Sequence, residues 1–402
     1  MKLLLATDLR MTVTAISSRL ALAAFSRACL FSILTCLSLG LGLSMAQAQA
    51  SGCGVTVRAG FQDLTFQSGG IERRAVVFIP PNYTAKTRVP VVFDLHGSNS
   101  FPRDQMGRSQ WPEVAKEAGF IVVAPQGGLA GKLEGTHAWN VPGVTNADGP
   151  DDAAYLSDTV AQVKAKFCVD ATRIYASGYS GGGRMLSQYI CNGNADFSAA
   201  GFVMSLRAGY PRQEAGRWLP DPQSCHPAKP VSIIAFWGLK DNTNPYAGGG
   251  KPYWQYGGET ALSRWADLEG CEKQARLTKG AGVSSMEFAG CKSGARILSY
   301  TIADQTHDWP SANIGFSLAS ANAGEPQRQV FAARRMWAFF DQRDGNLVAN
   351  AVARSDDCAT APKAKAKEDA AIAATTAACE ASTAKAKPQP AKAEESISAR
   401  AL

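Results

Sequence analysis

Histidine is scarce in this 402-residue sequence: there are only four. They do not cluster, and no two cysteines of the body stand in C-x-x-C spacing. Nothing therefore has the ligand pattern of a zinc site, and no metal or other cofactor is expected. Charge is sparse as well, at 19%. Of the net +7, residues 1–50 carry +3 and the stretch from Arg354 onward carries +1. The +3 left on the body is too weak a footprint for nucleic-acid binding. Long apolar runs are missing too. The run over residues 29–43, about 15 long, falls short of the roughly 20 that a membrane span needs. What the sequence does have is apolar material, 46% of its residues, enough for a sizeable core and too much for global disorder.

The two ends differ from the middle. The run over 29–43 follows Arg19 and Arg27 and leads into Ala46-Gln-Ala-Gln-Ala50, small residues at the spacing a signal peptidase needs. Residues 1–50 therefore read as an export signal, which leaves no stable membrane span after processing and places the protein outside the cell or in a periplasm. From about residue 346 the composition turns to Ala, Lys, Glu, Thr and Pro, and the stretch 346–402 reads as a disordered tail. Between them lies a single expected domain, 51–345. Its six cysteines, an even number in an exported chain, suggest disulfides. Cys271 and Cys291 bracket a short polar segment and form the expected pair. The pairing among Cys53, Cys168, Cys191 and Cys225 stays open at this level.

Through the body, short Val- and Ile-rich runs end in turn residues: 74–79, 89–95, 119–124, 173–177, 200–204, 231–237 and 296–302. Near-continuous runs of this kind suit strands buried on both faces. Helical patterns sit between them, over 152–167, 182–191, 258–268 and 327–341. The last places Val330, Phe331, Met336, Trp337 and Phe340 on one side. The alternation predicts an α/β fold with a mostly parallel sheet and helices on both faces. Residues 55–66 and 71–79, separated by Gly69-Gly70, read as an antiparallel opening pair.

The chemistry gathers at Gly178-Tyr-Ser-Gly-Gly182, where a strand hands over to a helix. This is G-x-S-x-G in the context that gives it meaning, a turn sharp enough to lift Ser180 out at the end of the strand. A serine hydroxyl needs a base, and in this arrangement the chain order is serine, acid, histidine. That order removes His96 and His137, and His226 precedes a strand at the wrong edge. His307, in Thr306-His-Asp-Trp-Pro310, remains. Asp241, in the loop after residues 231–237, is the expected acid. Asp267 reads as mid-helix, Asp304 as part of a strand, and Asp308 as too close to His307 in the chain. The amides of Gly181 and Ser98 are the expected oxyanion donors. His96 reads as a structural support for the Ser98 loop. Trp139 and Tyr179 are expected to line a substrate pocket, although Trp139 suits a core position equally well.

Together, Ser51-Gly-Cys-Gly54, Val123-Ala-Pro-Gln-Gly127, Phe167-Cys-Val-Asp170, the Ser180 turn, Gly270-Cys271, Ala289-Gly-Cys291 and the His307 segment resemble secreted feruloyl esterases of the first carbohydrate-esterase family. Polyhydroxybutyrate-depolymerase-like esterases share much of the pattern. The resemblance covers residues 51 to about 342. It implies an α/β-hydrolase fold and hydrolysis of hydroxycinnamate esters on plant cell-wall polysaccharide, with Ser180 as nucleophile, His307 as base and Asp241 as acid. No segment reads as a carbohydrate-binding or polyester-binding module. The alternatives are a polyester or acetyl-ester hydrolase, a peptidase on the same fold, and a non-catalytic exported binding protein. The expected partner is an ester substrate, small or polymer-linked.

Overall fold

The computed structural model describes residues 51–145, 148–280, 282–311 and 330–341. The segments read as an export signal and as a tail lie outside them. Ten strands form one sheet: β1 (Gly60–Ser68), β2 (Ile71–Ile79), β3 (Val89–Leu95), β4 (Ile121–Pro125), β5 (Val169–Tyr179), β6 (Ala199–Val203), β7 (Ser232–Gly238), β8 (Arg276–Lys279), β9 (Val283–Phe288) and β10 (Ile297–Ile302). Their spatial order is β1-β2-β4-β3-β5-β6-β7-β10-β9-β8. The central pairings, from β4–β3 through β7–β10, are parallel. The β1–β2 and β2–β4 pairings at one end, and β10–β9 and β9–β8 at the other, are antiparallel. Leaving out the β8–β9 hairpin, this is the strand order of the α/β-hydrolase fold, with the antiparallel N-terminal pair read from the sequence.

Burial explains which strands were legible. Along β3, Val91, Phe93 and Leu95 face one core and Val92 the other, all of them fully buried. The first core packs the sheet against α3 (Asp152–Lys166), α4 (Gly181–Cys191) and α5 (Gly258–Leu268). The second packs it against α1 (Pro102–Ser109), α2 (Trp111–Ala118) and α6 (Ala332–Phe340). Helices α1 and α2 and the β8–β9 hairpin escaped the sequence reading. The two helices are only eight residues each, and β8 is exposed along its length, so it carries no apolar run. The last helix also starts later than expected: Val330 and Phe331 precede it, buried but outside the helical turn.

Local chemistry places the ends of elements. Asp151 caps α3, its carboxylate accepting from the amides of Ala153 and Ala154 at 2.9 Å. Asp152, next to it, turns inward instead, accepting from the Asn140 amide (2.7 Å) and from the buried Arg73 guanidinium (2.5 Å). Three disulfides tie the body. Cys271–Cys291 is the expected pair, and it closes the stretch that holds the β8–β9 hairpin. Cys53–Cys168 and Cys191–Cys225 resolve the remaining four. Cross-linking residues 115, 34 and 20 positions apart stabilises the fold by about 3–5 kcal/mol each in the loop-entropy model.

One buried charge stands out at the end of β3. Asp94 has no exposure and accepts from Ser109 Oγ (2.6 Å), Gln105 Nε2 (2.9 Å) and Ser177 Oγ (3.0 Å). It thereby ties α1 and β5 to β3, two residues before His96. Burial pushes its carboxyl from 3.8 up to about 7, against the pull of those three donors. The folded state therefore holds a proton that the unfolded chain releases, and stability is lost as pH rises between about 4 and 7. Asp94→Asn removes this dependence. In denaturant titrations at a series of pH values, the unfolding free energy of the variant minus that of the wild type should grow with pH across that window. A difference that stays flat from pH 4 to 8 contradicts this account of Asp94.

Candidate active site

The turn that carries Ser180 is built by close approach. Ser180 sits between β5 and α4 with φ 48° and ψ −112°, a conformation costing roughly 1–3 kcal/mol that only a well-packed surround sustains. Its amide is fixed by donation to the Val203 carbonyl at 3.1 Å. Glycine on either side makes the approach possible. A methyl on Gly178 would stand 2.5 Å from the Gly183 Cα, and one on Gly182 would stand 2.5 Å from the His96 carbonyl oxygen. The start of α4 is thus pressed against the loop after β3, which brings Gly181 against Ser98.

Three side chains meet above this turn. His307 Nε2 lies 2.9 Å from Ser180 Oγ, and His307 Nδ1 lies 2.7 Å from Asp241 Oδ2. A carboxylate only accepts, so Nδ1 carries the hydrogen and Nε2 presents its lone pair to the serine hydroxyl. Asp241 Oδ1 accepts from the amides of Thr243 and Asn244, both at 2.8 Å. Burial works to raise the Asp241 carboxyl, but the bonds from His307, Asn244 and Thr243 outweigh it and hold the group below its ordinary value. Asp241 therefore stays ionised. The arrangement can take a proton from a serine, hold it on an imidazole and steady the cation formed.

The rejected acids are placed elsewhere. Asp308 is exposed and faces Arg108 at 4.0 Å, and Asp304 lies beyond the end of β10, where it pairs with Lys240 at 2.5 Å. The reading of Asp304 as part of a strand is thereby corrected, because the strand stops at Ile302. His226 donates its amide to the Cys191 carbonyl at the far end of α4, away from the turn.

The loop that carries Ser98 is tied on several sides. His96 is fully buried; it donates from Nδ1 to the Gly97 carbonyl (2.7 Å) and accepts the Gly127 amide at Nε2 (3.0 Å). Burial pulls its pKa down to about 4, so it stays neutral and serves as a brace. The Asn99 amide donates to the His137 carbonyl at 2.8 Å, so His137 contributes its backbone to this loop. Trp139 belongs to this brace too. It is 2% exposed, its indole lies tilted 5.0 Å from the His96 ring, and its N–H donates to the His96 carbonyl at 2.7 Å. The pocket position expected for Trp139 is therefore corrected to a core position. Tyr179, next to Ser180 in the chain, is 8% exposed and contacts His307. Its hydroxyl donates to the His307 carbonyl and its ring lies 5.4 Å from the imidazole, so it backs the histidine from behind. Sequence reasoning passed over Asn244, which fastens Asp241 and donates its side-chain amide to the Met204 carbonyl at 2.7 Å. Its position three residues after Asp241, in Asp241-Asn-Thr-Asn244, was the available signal. Among the described residues no group of three His, Cys, Asp or Glu side chains is placed to hold a metal ion.

No family model matches the chain. Feruloyl esterase B of Piromyces equi is 29% identical over 251 residues, which cover 61% of this chain and 44% of that protein. A bifunctional acetylxylan esterase/xylanase of Neocallimastix patriciarum is 31% identical over 114 residues, 28% of this chain and 15% of that protein. A probable feruloyl esterase C of Aspergillus terreus is 25% identical over 302 residues, 73% of this chain and 96% of that protein. The matched region thus spans less than half the length of the first two relatives. The resemblance read from the motifs is borne out to this extent: the chain is similar in sequence to proteins named feruloyl esterase, and its strand order is that of the α/β-hydrolase fold.

The contact between Gly181 and Ser98 gives a test of the oxyanion donors expected from the sequence that leaves the side chains of Ser180, His307 and Asp241 in place. A methyl at Gly181 would collide with Ser98 Oγ and stand 2.9 Å from the Ser98 amide nitrogen. Gly181→Ala should push the loop away and lower kcat for a simple aryl ester by about 100-fold, the scale of one lost oxyanion donor. The thermal unfolding midpoint should move by only a few degrees. Unaltered kcat in a folded Gly181→Ala protein contradicts this placement of the two amides.

Proposed function

We propose that the protein is an exported serine carboxylesterase that releases ferulate or a related hydroxycinnamate from plant cell-wall polysaccharide esters. The observation that carries the proposal is the unbroken line from Ser180 Oγ through both ring nitrogens of His307 to Asp241, at 2.9 and 2.7 Å. In this reading Ser180 attacks the ester carbonyl while His307 Nε2 accepts its proton. Asp241 stabilises the imidazolium by accepting from Nδ1 and keeps the ring in its productive tautomer. The Gly181 and Ser98 amides receive the negative charge of the tetrahedral intermediate. Collapse follows, His307 gives its proton to the leaving alcohol, and an acyl group remains on Ser180. Water then enters, His307 takes one of its protons, and a second collapse frees the acid and returns the proton to the serine.

Export is supported by three disulfides, which form and persist in oxidising compartments. Among the described residues no helix is long and apolar enough to cross a membrane. The acyl preference is supported by relatives named feruloyl esterase. The relative named for acetylxylan esterase activity favours acetyl esters as a second reading.

Turnover of methyl ferulate, naphthyl acetate and hydroxybutyrate oligomers separates these readings. The proposal expects kcat/KM to be highest for methyl ferulate. Ser180→Ala should lower every measurable rate by several orders of magnitude, on the scale of removing a nucleophile. Turnover confined to naphthyl acetate would favour the acetyl-ester reading, and turnover confined to the oligomers the polyester reading. Retained activity in a folded Ser180→Ala protein would remove the mechanism altogether.

A further inference from the structure

Two arginines that the proposed reaction does not use lie beside the nucleophilic turn. Arg184 stands on α4, and its amide donates to the Ser180 carbonyl at 3.1 Å. Its Cα is therefore about 6 Å further along the helix axis than that of the serine. Arg207 follows β6, the strand whose last residue accepts the Ser180 amide. Both arginines border a cavity of about 360 Å³, together with Gln188, Tyr210, Pro252 and Tyr253. That is the low end of small-molecule sites and suits a single ring.

Arg207 is 6% exposed. Its Nε donates to the Leu206 carbonyl (2.8 Å) and its Nη1 to the Tyr256 carbonyl (2.9 Å). Its guanidinium carbon lies 3.8 Å from the centroid of the Trp254 ring and 4.0 Å from that of the Tyr256 ring. Nη2 is buried with no hydrogen-bond partner, and so is Nε of Arg184. The Arg184 guanidinium carbon lies 4.2 Å from the Tyr253 ring centroid. No ion pair among the described residues includes Arg184 or Arg207.

A buried cation is ordinarily paired, and two sharing one cavity repel each other. Stacking on aromatic rings offsets part of that cost but supplies no counter-charge. An anion between the two guanidinium groups would supply the counter-charge that both lack. The flat fork of a guanidinium matches a carboxylate best. The tyrosine and proline walls are suited to the face of a ring carrying that carboxylate.

We propose that the Arg184–Arg207 cavity is a binding site for a carboxylate carried on a single ring. Its role as a subsite for acidic ester substrates rests on the esterase reading; its capacity to bind the acid does not. The ring has two chemical sources, an acidic sugar of the polysaccharide or an aromatic acid, and paired probes separate them. Titration calorimetry on the full chain at low ionic strength would compare D-glucuronate with D-glucose, and 4-hydroxybenzoate with 4-hydroxybenzamide. One acid should bind at least about tenfold more tightly than its neutral partner, the scale of one charge-assisted hydrogen bond. The preference should weaken in about 0.5 M salt and vanish in Arg184→Gln. Arg184 is only partly buried, so this variant reads out even where Arg207→Gln does not fold. Equal binding of acid and neutral partner in both pairs overturns the proposal, as does a preference that survives in Arg184→Gln. Naphthyl acetate hydrolysis by the same samples reports separately on the esterase reading. A protein that binds the acid and hydrolyses no ester refutes that reading alone.

Discussion

The site depends on one steric constraint: a strand and a helix must come close enough for the residue between them to be forced to φ 48°. An L-residue adopts that conformation only when its surroundings hold it there. Here the surroundings are backbone. The Ser180 amide is bound to the end of β6, and the first turn of α4 is pressed against the loop after β3. Glycines at 178, 181, 182 and 183 keep side chains out of these contacts. The same compression that fixes Ser180 brings Gly181 beside Ser98, so the serine and the two amides proposed as oxyanion donors are placed by one packing event.

The loops around the turn are held by buried polar groups, each bonded to a small number of partners. Asp94 gathers Ser109, Gln105 and Ser177, and Ser177 in turn accepts the Trp111 indole N–H at 2.8 Å. His96 and Trp139 brace the Ser98 loop from below, and Asn244 fastens the Asp241 loop to the end of β6. Tyr179 secures the His307 segment from the position next to the serine. Removing a partner from a low-dielectric network leaves a desolvated polar group behind. Preorganisation of the reacting groups is therefore bound up with the stability of the layer beneath them.

The residues that meet at the turn were legible in the sequence where chain order and spacing carry physical meaning. Ser180 was marked by glycines that a sharp turn requires, and His307 by elimination among four histidines. Asp241 was marked by its place after a fully buried strand. The buried strands were legible because both faces are covered and the runs are continuous. The β8–β9 hairpin was not, because an exposed edge needs no such run. Trp139 was ambiguous because a tryptophan suits a pocket wall and a core equally well. Only the partner of its indole N–H distinguishes the two. Arg184 and Arg207 are 23 positions apart in the chain and meet only through the β5–α4–β6 crossover, so no local pattern announces them.

The account's central claim is that Ser180 is made nucleophilic by His307. The most direct measurement is covalent labelling with an aryl organophosphonate, read by mass spectrometry of the intact protein and of its peptides. The account predicts one adduct per chain, on Ser180, and a loss of labelling in His307→Ala while the protein stays folded. Adducts on another residue, or undiminished labelling of Ser180 without the imidazole, would contradict it.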